Sequence, residues 1–133
     1  MTTFEAKAIM NIPANRLIAF GGINSEDNPE EGWETVYLKL SEKGWIPDLV
    51  TSVSIDKGDS VKVSVVNNPV WKVEAAQDLP AGTLVQCDEE GRVKSYSVKD
   101  GNHIGYTLHS VKAGEVVSFV RKYGTMPVEQ SEQ

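Results

Sequence analysis

The sequence contains few of the residues on which enzymatic chemistry usually depends. Its 133 residues include one cysteine, Cys87, and two histidines, His103 and His109. A single cysteine excludes an intramolecular disulfide, so the fold does not depend on an oxidising compartment. Cys87 is expected to be a small, half-buried side chain in a strand. A nucleophilic thiol would need a neighbouring base, and the sequence places neither histidine beside it.

Metal-binding and catalytic motifs are missing as well. His103 and His109 are predicted to share one face of a strand near Asp100, but no second carboxylate or cysteine has metal-ligand spacing. The acidic residues at 88–90 and 24–34 are predicted to be solvated, without the burial that raises the pKa of a general acid. No phosphate-binding loop or nucleophile elbow occurs. We therefore expect no catalytic residue, no metal, no cofactor and no enzymatic activity.

The chain also lacks an excess of basic charge and any long apolar run. It has 13 Lys and Arg against 19 Asp and Glu, a formal net charge of −6. An acidic surface repels phosphate backbones, so we expect no nucleic-acid partner. No apolar run approaches the roughly 18 residues of a membrane helix, and the first residues lack a secretory pattern. We expect no membrane partner, and synthesis in the cytoplasm without translocation.

Short β-rich segments separated by turn residues make up most of the chain. Hydrophobic residues are 40% and charged residues 24%, which is typical of a globular protein. Apolar and polar residues alternate at 60–66, 70–76 and 92–98, which predicts half-buried antiparallel strands. No window shows helical periodicity with caps. The predicted fold class is therefore all-β, with little or no helix.

A bend followed by a strand occurs twice. NIPANRLIAF (11–20) aligns with DLPAGTLVQC (78–87) at an offset of 67. In each copy a proline, Pro13 or Pro80, restricts the backbone at the bend. The asparagine or aspartate that opens each copy can hydrogen-bond the turning backbone.

A hairpin turn occurs twice in the same order. TSVSIDKGDSV (51–61) aligns with TLHSVKAGEVV (107–117) at an offset of 56. Two ordered matches indicate a tandem duplication, which predicts two related small lobes that are β-clip-like or barrel-like. The fall in offset from 67 to 56 implies eleven extra residues in the first copy, and the acidic stretch near 24–34 is the expected insertion.

These repeats define the predicted domain organisation. The first β lobe spans 1–66 with the insertion near 24–34, the second spans 67–125, and 126–133 is a flexible C-terminal tail. Glycine supplies positive φ where strands reverse. The predicted structural turn positions are Pro13, Gly58, Pro80, Gly82, Gly91 and Gly114.

The second half of the chain resembles a known group of proteins. The segments that carry the resemblance are AAQDLPAGTLV, DEEGRV, HIGYTL and VKAGEVVSFV. They are similar to phage head (capsid) decoration proteins of the lambda type, to related phage structural proteins, and to β-clip modules. The resemblance covers 73–124 and extends less well to 6–66, where Asn15 stands at the position of Gly82.

The resemblance implies a structural role. Such a protein binds the outside of an assembled phage capsid and stabilises it without chemistry, through contacts with the major capsid protein. The resemblance implies a location on the virion exterior, and either a trimer, which is favoured, or a monomer.

Aromatic residues provide the candidate partner interface. Trp71 lies in an apolar strand and is predicted to be core, whereas Trp33 and Trp45 are either buried lids or exposed anchors. Phe4 lies in an N-terminal segment that is either a first strand, which we favour, or an arm that pairs with a neighbour's sheet. The alternative function is a small-molecule or glycan-binding β module that uses exposed tryptophans.

Overall fold

The computed structural model describes residues 2–21, 36–65 and 68–124. These residues form β-strands and one 3₁₀ turn at Val98–Asp100. The strands are β1 (Thr2–Ala8), β2 (Arg16–Phe20), β3 (Val36–Leu40), β4 (Leu49–Thr51), β5 (Ser60–Val65), β6 (Val70–Glu74), β7 (Leu84–Cys87), β8 (Val93–Ser95), β9 (His103–Thr107) and β10 (Val116–Gly124). The prediction of an all-β fold is confirmed. None of the helical structure in the described part is long and apolar enough to cross a membrane.

The strands divide into two sheets that follow chain order. The first has the order β4-β2-β3-β1-β5 and the second has the order β6-β10-β9-β7-β8. We call residues 2–21 and 36–65 the first unit and residues 68–124 the second unit. Each unit has its own cluster of buried apolar side chains, so the predicted pair of lobes is confirmed. Within the sheets, β1 and β3 run parallel and the other paired strands are antiparallel.

Strand β6 shows how the alternating sequence builds a core. Trp71 and Val73 are buried, while Lys72 between them is exposed. Successive side chains point to opposite faces of a strand, so the apolar positions all turn inward. The Trp71 ring packs edge-on against Phe119 of β10, with centroids 6.3 Å apart. The prediction that Trp71 is core is confirmed.

The two units contain equivalent backbone bridges between residues that are distant in sequence. In the first unit, Ile12 and Ile55 form an isolated antiparallel bridge, and in the second unit Leu79 and Val111 form another. Ile12 and Leu79 are 67 positions apart, and Ile55 and Val111 are 56 apart, which are the two offsets of the sequence repeat. The duplication inferred from short motifs therefore has a counterpart in the backbone pairing.

The opening residue of each bend performs the same task in both units. Asn11 Oδ1 accepts a hydrogen bond from the Lys57 amide at 2.8 Å, and Asp78 Oδ1 accepts one from the Ala113 amide at 2.9 Å. Each bond ties the bend to the tip of the repeated hairpin. The short polar side chain is therefore needed for the turn.

The pairing also locates the additional residues of the first unit. Phe20 pairs with Leu38, and the corresponding pair in the second unit is Cys87 with Val93. Phe20 and Cys87 are 67 positions apart, whereas Leu38 and Val93 are 55 apart. The offset between the two copies therefore changes between β2 and β3. The intervening stretch includes the predicted insertion at 24–34, which itself lies outside the described residues.

The units differ in one pairing. In the second unit β9 pairs with β10, placing Tyr106 opposite Val120, and an isolated parallel bridge between Ala75 and Val93 joins β6 to the edge strand β8. The second unit is therefore closed on itself. In the first unit the counterparts of β9 and β10 are β4 and β5, which stand at opposite ends of the strand order. The first unit is therefore open between β4 and β5.

At one position of this pairing the two units differ between glycine and leucine. Gly105 of β9 lies so close to β10 that a Cβ atom there would collide with the carbonyl oxygen of Val120. The first unit has Leu49 at the corresponding position, 56 residues earlier. Because the leucine side chain cannot be accommodated at this distance, β4 cannot approach β5 as β9 approaches β10.

Candidate partner-binding surfaces

Cys87 is buried and unreactive. The prediction of a half-buried side chain is corrected, because its exposed fraction is 0%. The thiol faces the carbonyl oxygens of Ser41 and Asp88 at 3.6 and 3.2 Å. Burial raises the pKa of the thiol to about 12, so it stays protonated at neutral pH. Cys87 fills space at the end of β7.

Asp88 does not have the solvated environment predicted for it. Its exposed fraction is 2%. One carboxylate oxygen accepts the amides of Glu90 and Arg92 at 2.8 Å each, and the other accepts Arg92 Nε at 3.0 Å. The turn wraps its backbone donors around the carboxylate, which therefore serves as the internal support of the β7–β8 turn.

The two histidines do not form a shared site. His103 begins β9, is 5% exposed and packs edge-on against Tyr96; burial lowers the pKa of its imidazole. His109 lies beyond β9, where its Nε2 accepts the Ser118 amide at 3.1 Å, so the prediction of a common strand face is wrong. Within residues 2–21, 36–65 and 68–124, no group of three His, Cys, Asp or Glu could hold a metal.

Asp100, the carboxylate nearest to these histidines in sequence, is paired instead with lysines. Lys94 Nζ lies 2.6 Å from Asp100 Oδ2, and Lys43 Nζ lies 3.8 Å from Oδ1. The hydrogen bond from Lys94 lowers the pKa of the Asp100 carboxyl. The side chain is thus part of a local charge cluster at the 3₁₀ turn.

The predicted turn positions lie at chain reversals. Pro13 and Pro80 are exposed in the bends. All four glycines among these positions, Gly58, Gly82, Gly91 and Gly114, have positive φ. Asn15, at the position of Gly82, also has positive φ, at 61°. Asparagine tolerates this conformation, so the departure from the repeat leaves the bend unchanged.

Gly91 has a second role at the contact between the units. Its carbonyl oxygen accepts the Leu17 amide at 2.7 Å, and a Cβ at Gly91 would lie 2.8 Å from the Leu17 carbonyl oxygen. The side chain of Leu17, on β2, is buried in the core of the second unit. A glycine is therefore required where the β7–β8 turn meets the first unit.

Trp45 is an exposed aromatic ring on a fixed support. It is 42% exposed, and the Lys39 ammonium lies 4.7 Å from its ring centroid. The preceding residue, Gly44, donates its amide to the Cys87 carbonyl and accepts the Asn102 amide, at 2.9 and 3.0 Å. These bonds hold Trp45 where the two units meet. Trp33 lies outside the described residues.

Phe4 belongs to the sheet. Strand β1 pairs with β5 from Thr2 to Lys7 and with β3 from Ala6 to Ala8, so this segment is a first strand of the sheet. Phe4 is half-buried and meets Phe20 edge-on, with ring centroids 5.9 Å apart. Phe20 is 39% exposed, so Phe4 reaches the surface beside a more accessible ring.

A cavity of 740 Å³ lies where the first unit is open. We call it the seam groove; its walls include Val50 and Thr51 of β4, Ser64 of β5, and Lys72 and Arg121 of the second unit. Sequence reasoning missed this surface. The available signal was Leu49 standing where the repeat has Gly105.

The sequence and the fold were both compared with those of known proteins. No protein-family model matches the sequence. The capsid fiber protein of Bacillus phage B103 is 29% identical over 118 residues, which are 89% of this chain and 38% of that protein. The chain is similar to a phage head protein. It spans well under half the length of that relative.

The fold has a relative among solved structures. The head fiber gp8.5 N base of bacteriophage phi29 matches with a TM-score of 0.78, covering 95% of this chain and 98% of that one. The identity is 22%, so this likeness shows a shared fold. Together the two relatives confirm the resemblance to phage head structural proteins that the sequence predicted.

Proposed function

We propose that the chain is a non-enzymatic structural protein that binds the outside of an assembled phage capsid and stabilises it. The match to a capsid fiber protein over 89% of the chain carries the proposal. The major capsid protein is the proposed partner, and the virion exterior is the proposed location after synthesis in the host cytoplasm. A ligand that binds only the assembled shell stabilises that shell by mass action.

The described side chains support a structural role. Cys87 is buried and protonated, and the buried carboxylate of Asp88 is occupied by the donors of its own turn. Neither group has the accessible, activated state that a nucleophile or general acid requires. We therefore propose contact, and no chemistry, as the activity.

Trp45 is the proposed anchor. Tryptophan is enriched among the residues that dominate binding energy, because it buries a large rigid surface at low entropic cost. The hydrogen bonds of Gly44 fix the backbone beside it. Sugar stacking is the weaker alternative, because Trp71 is buried and Lys39 covers part of the Trp45 ring.

Co-sedimentation with mature capsids that lack this protein tests the proposal. We expect the wild-type chain to sediment with mature capsids and not with unexpanded shells. Trp45→Ala should weaken binding at least tenfold, as loss of a central aromatic anchor does. Its thermal unfolding should stay close to wild type, because the ring is 42% exposed.

Leu108→Ala is the matched control, because Leu108 is 52% exposed and follows the last residue of β9. This variant should bind capsids as the wild type does. Failure of the wild-type chain to bind any capsid would contradict the proposed function. Sedimentation equilibrium of the free protein tests the proposed trimer, for which we expect three times the 14.6 kDa chain mass.

A further inference from the structure

In the first unit β4 and β5 are not paired with each other, so backbone groups on their edges face a gap. In the second unit Tyr106 and Val120 lie opposite each other, and their counterparts are Val50 of β4 and Ser64 of β5. Because the two units share their register, the amides and carbonyls of Val50 and Ser64 point toward the missing pairing. Both residues line the seam groove.

Internal closure does not satisfy these groups. Leu49 occupies the position at which the second unit needs Gly105 to bring its strands together. Strand edges with free donors and acceptors pair readily with an added extended segment. The length of such a segment is limited by the edges, which are three residues in β4 and six in β5.

The charge of the groove indicates what kind of segment fits. Lys72 is exposed on the second-unit wall, and the guanidinium of Arg121 lies 4.4 Å from the Trp71 ring beside it. The carboxylate in the groove, Asp48, accepts the Phe20 amide at 3.0 Å. The groove lining therefore carries two cationic side chains against one carboxylate, in a chain whose net charge is −6. Electrostatic complementarity favours an acidic occupant.

We propose that the seam groove binds an extended, acidic segment of the capsid shell protein, which pairs as an added strand with the free edges of β4 and β5. This inference rests on the proposed function, because it takes the capsid as the partner. An acidic side chain of the segment faces Lys72. The duplication thus yields one closed unit for stability and one open unit for binding.

Hydrogen exchange of the whole chain, with and without mature capsids lacking the protein, tests the inference. The peptides that contain Val50 and Ser64 should exchange at least tenfold more slowly when capsids are bound, since edge amides become hydrogen-bonded. Lys72→Glu should weaken capsid binding by roughly tenfold through like-charge repulsion. Lys57→Glu, at an exposed hairpin tip outside the groove, should bind as wild type.

The outcomes separate the two proposals. Capsid binding without slower exchange in β4 and β5, or equal binding by the two lysine variants, overturns the inference and leaves the proposed function standing. No capsid binding by the wild-type chain overturns both. Slower exchange that appears on raising the protein concentration alone assigns the groove to a second copy of the chain, and it also overturns the inference.

Discussion

Single side chains in this protein act mainly by fixing the backbone of turns. Asp88 is the clearest case, because its sequence neighbours Glu89 and Glu90 are exposed while it is 2% exposed. An acidic run on a turn predicts solvated charge, and that prediction is right for two of the three residues. The third is buried because the turn directs two amides and Arg92 Nε at its carboxylate.

Replacement of Asp88 should reveal this role. We expect Asp88→Ala to lower the free energy of unfolding by about 2–4 kcal/mol, because it orphans buried donors. Asp88→Asn retains one acceptor oxygen and should cost about half as much. Urea unfolding measures both. The exposed neighbour Glu89→Ala is the control, with a change within about 0.5 kcal/mol. Equal effects for Asp88→Ala and Glu89→Ala would refute the supporting role.

At the scale of the strands, two copies of one sequence pattern differ in one strand pairing. The bridge of Ile12 with Ile55 and that of Leu79 with Val111 show that the copies fold alike around their bends. They diverge at β4 and β9, where one copy has a leucine and the other a glycine. The usual strand spacing of about 4.8 Å accommodates a Cβ atom, but at Gly105 a Cβ would collide with the Val120 carbonyl oxygen.

Gly105→Ala should weaken the closure of the second unit. The added methyl group collides with the Val120 carbonyl, so we expect a loss of about 1–3 kcal/mol, as in other overpacked sites. Thermal unfolding should show a clearly lower Tm. Val116→Ala, at a 41% exposed position of β10, should change the Tm much less. A Tm of Gly105→Ala equal to that of wild type would show that β9 and β10 can separate at no cost.

At the scale of the molecule, the two units are joined by backbone and side-chain contacts. Leu17 of β2 is buried in the core of the second unit, and its amide donates to Gly91. Beside it, Arg16 Nη2 lies 3.4 Å from Glu74 Oε1. Because the core of the second unit includes a residue from the sheet of the first, the second unit is not complete alone.

The chain should therefore unfold in one cooperative step. We expect a single calorimetric transition whose calorimetric and van't Hoff enthalpies agree. Leu17→Ala should lower the Tm of that single transition, because it reduces the free energy of unfolding by about 2–5 kcal/mol. Two resolved transitions, of which Leu17→Ala shifts only one, would show that the units are independent.

How far the sequence could predict this protein depended on the range of the interactions. Alternation at 70–76, glycine at turns and the repeated bend are local signals, and each predicted a strand or turn that the structure contains. The exposure of Trp45 could not be predicted, because it depends on how Gly44 contacts Cys87, which is distant in sequence. The burial of Asp88 could not be predicted for a different reason, because neighbouring carboxylates on one turn look alike in sequence.

The sequence by itself determined an all-β chain with two copies of one folding pattern, because periodicity and turn chemistry act within a few residues. Only the tertiary structure decided which copy closes and where a groove remains. Pairing of β9 with β10 requires the close approach that Gly105 permits, and Leu49 prevents the same approach in the first unit. The difference between glycine and leucine at one position matters only because the tertiary structure places two strands that are distant in sequence beside each other.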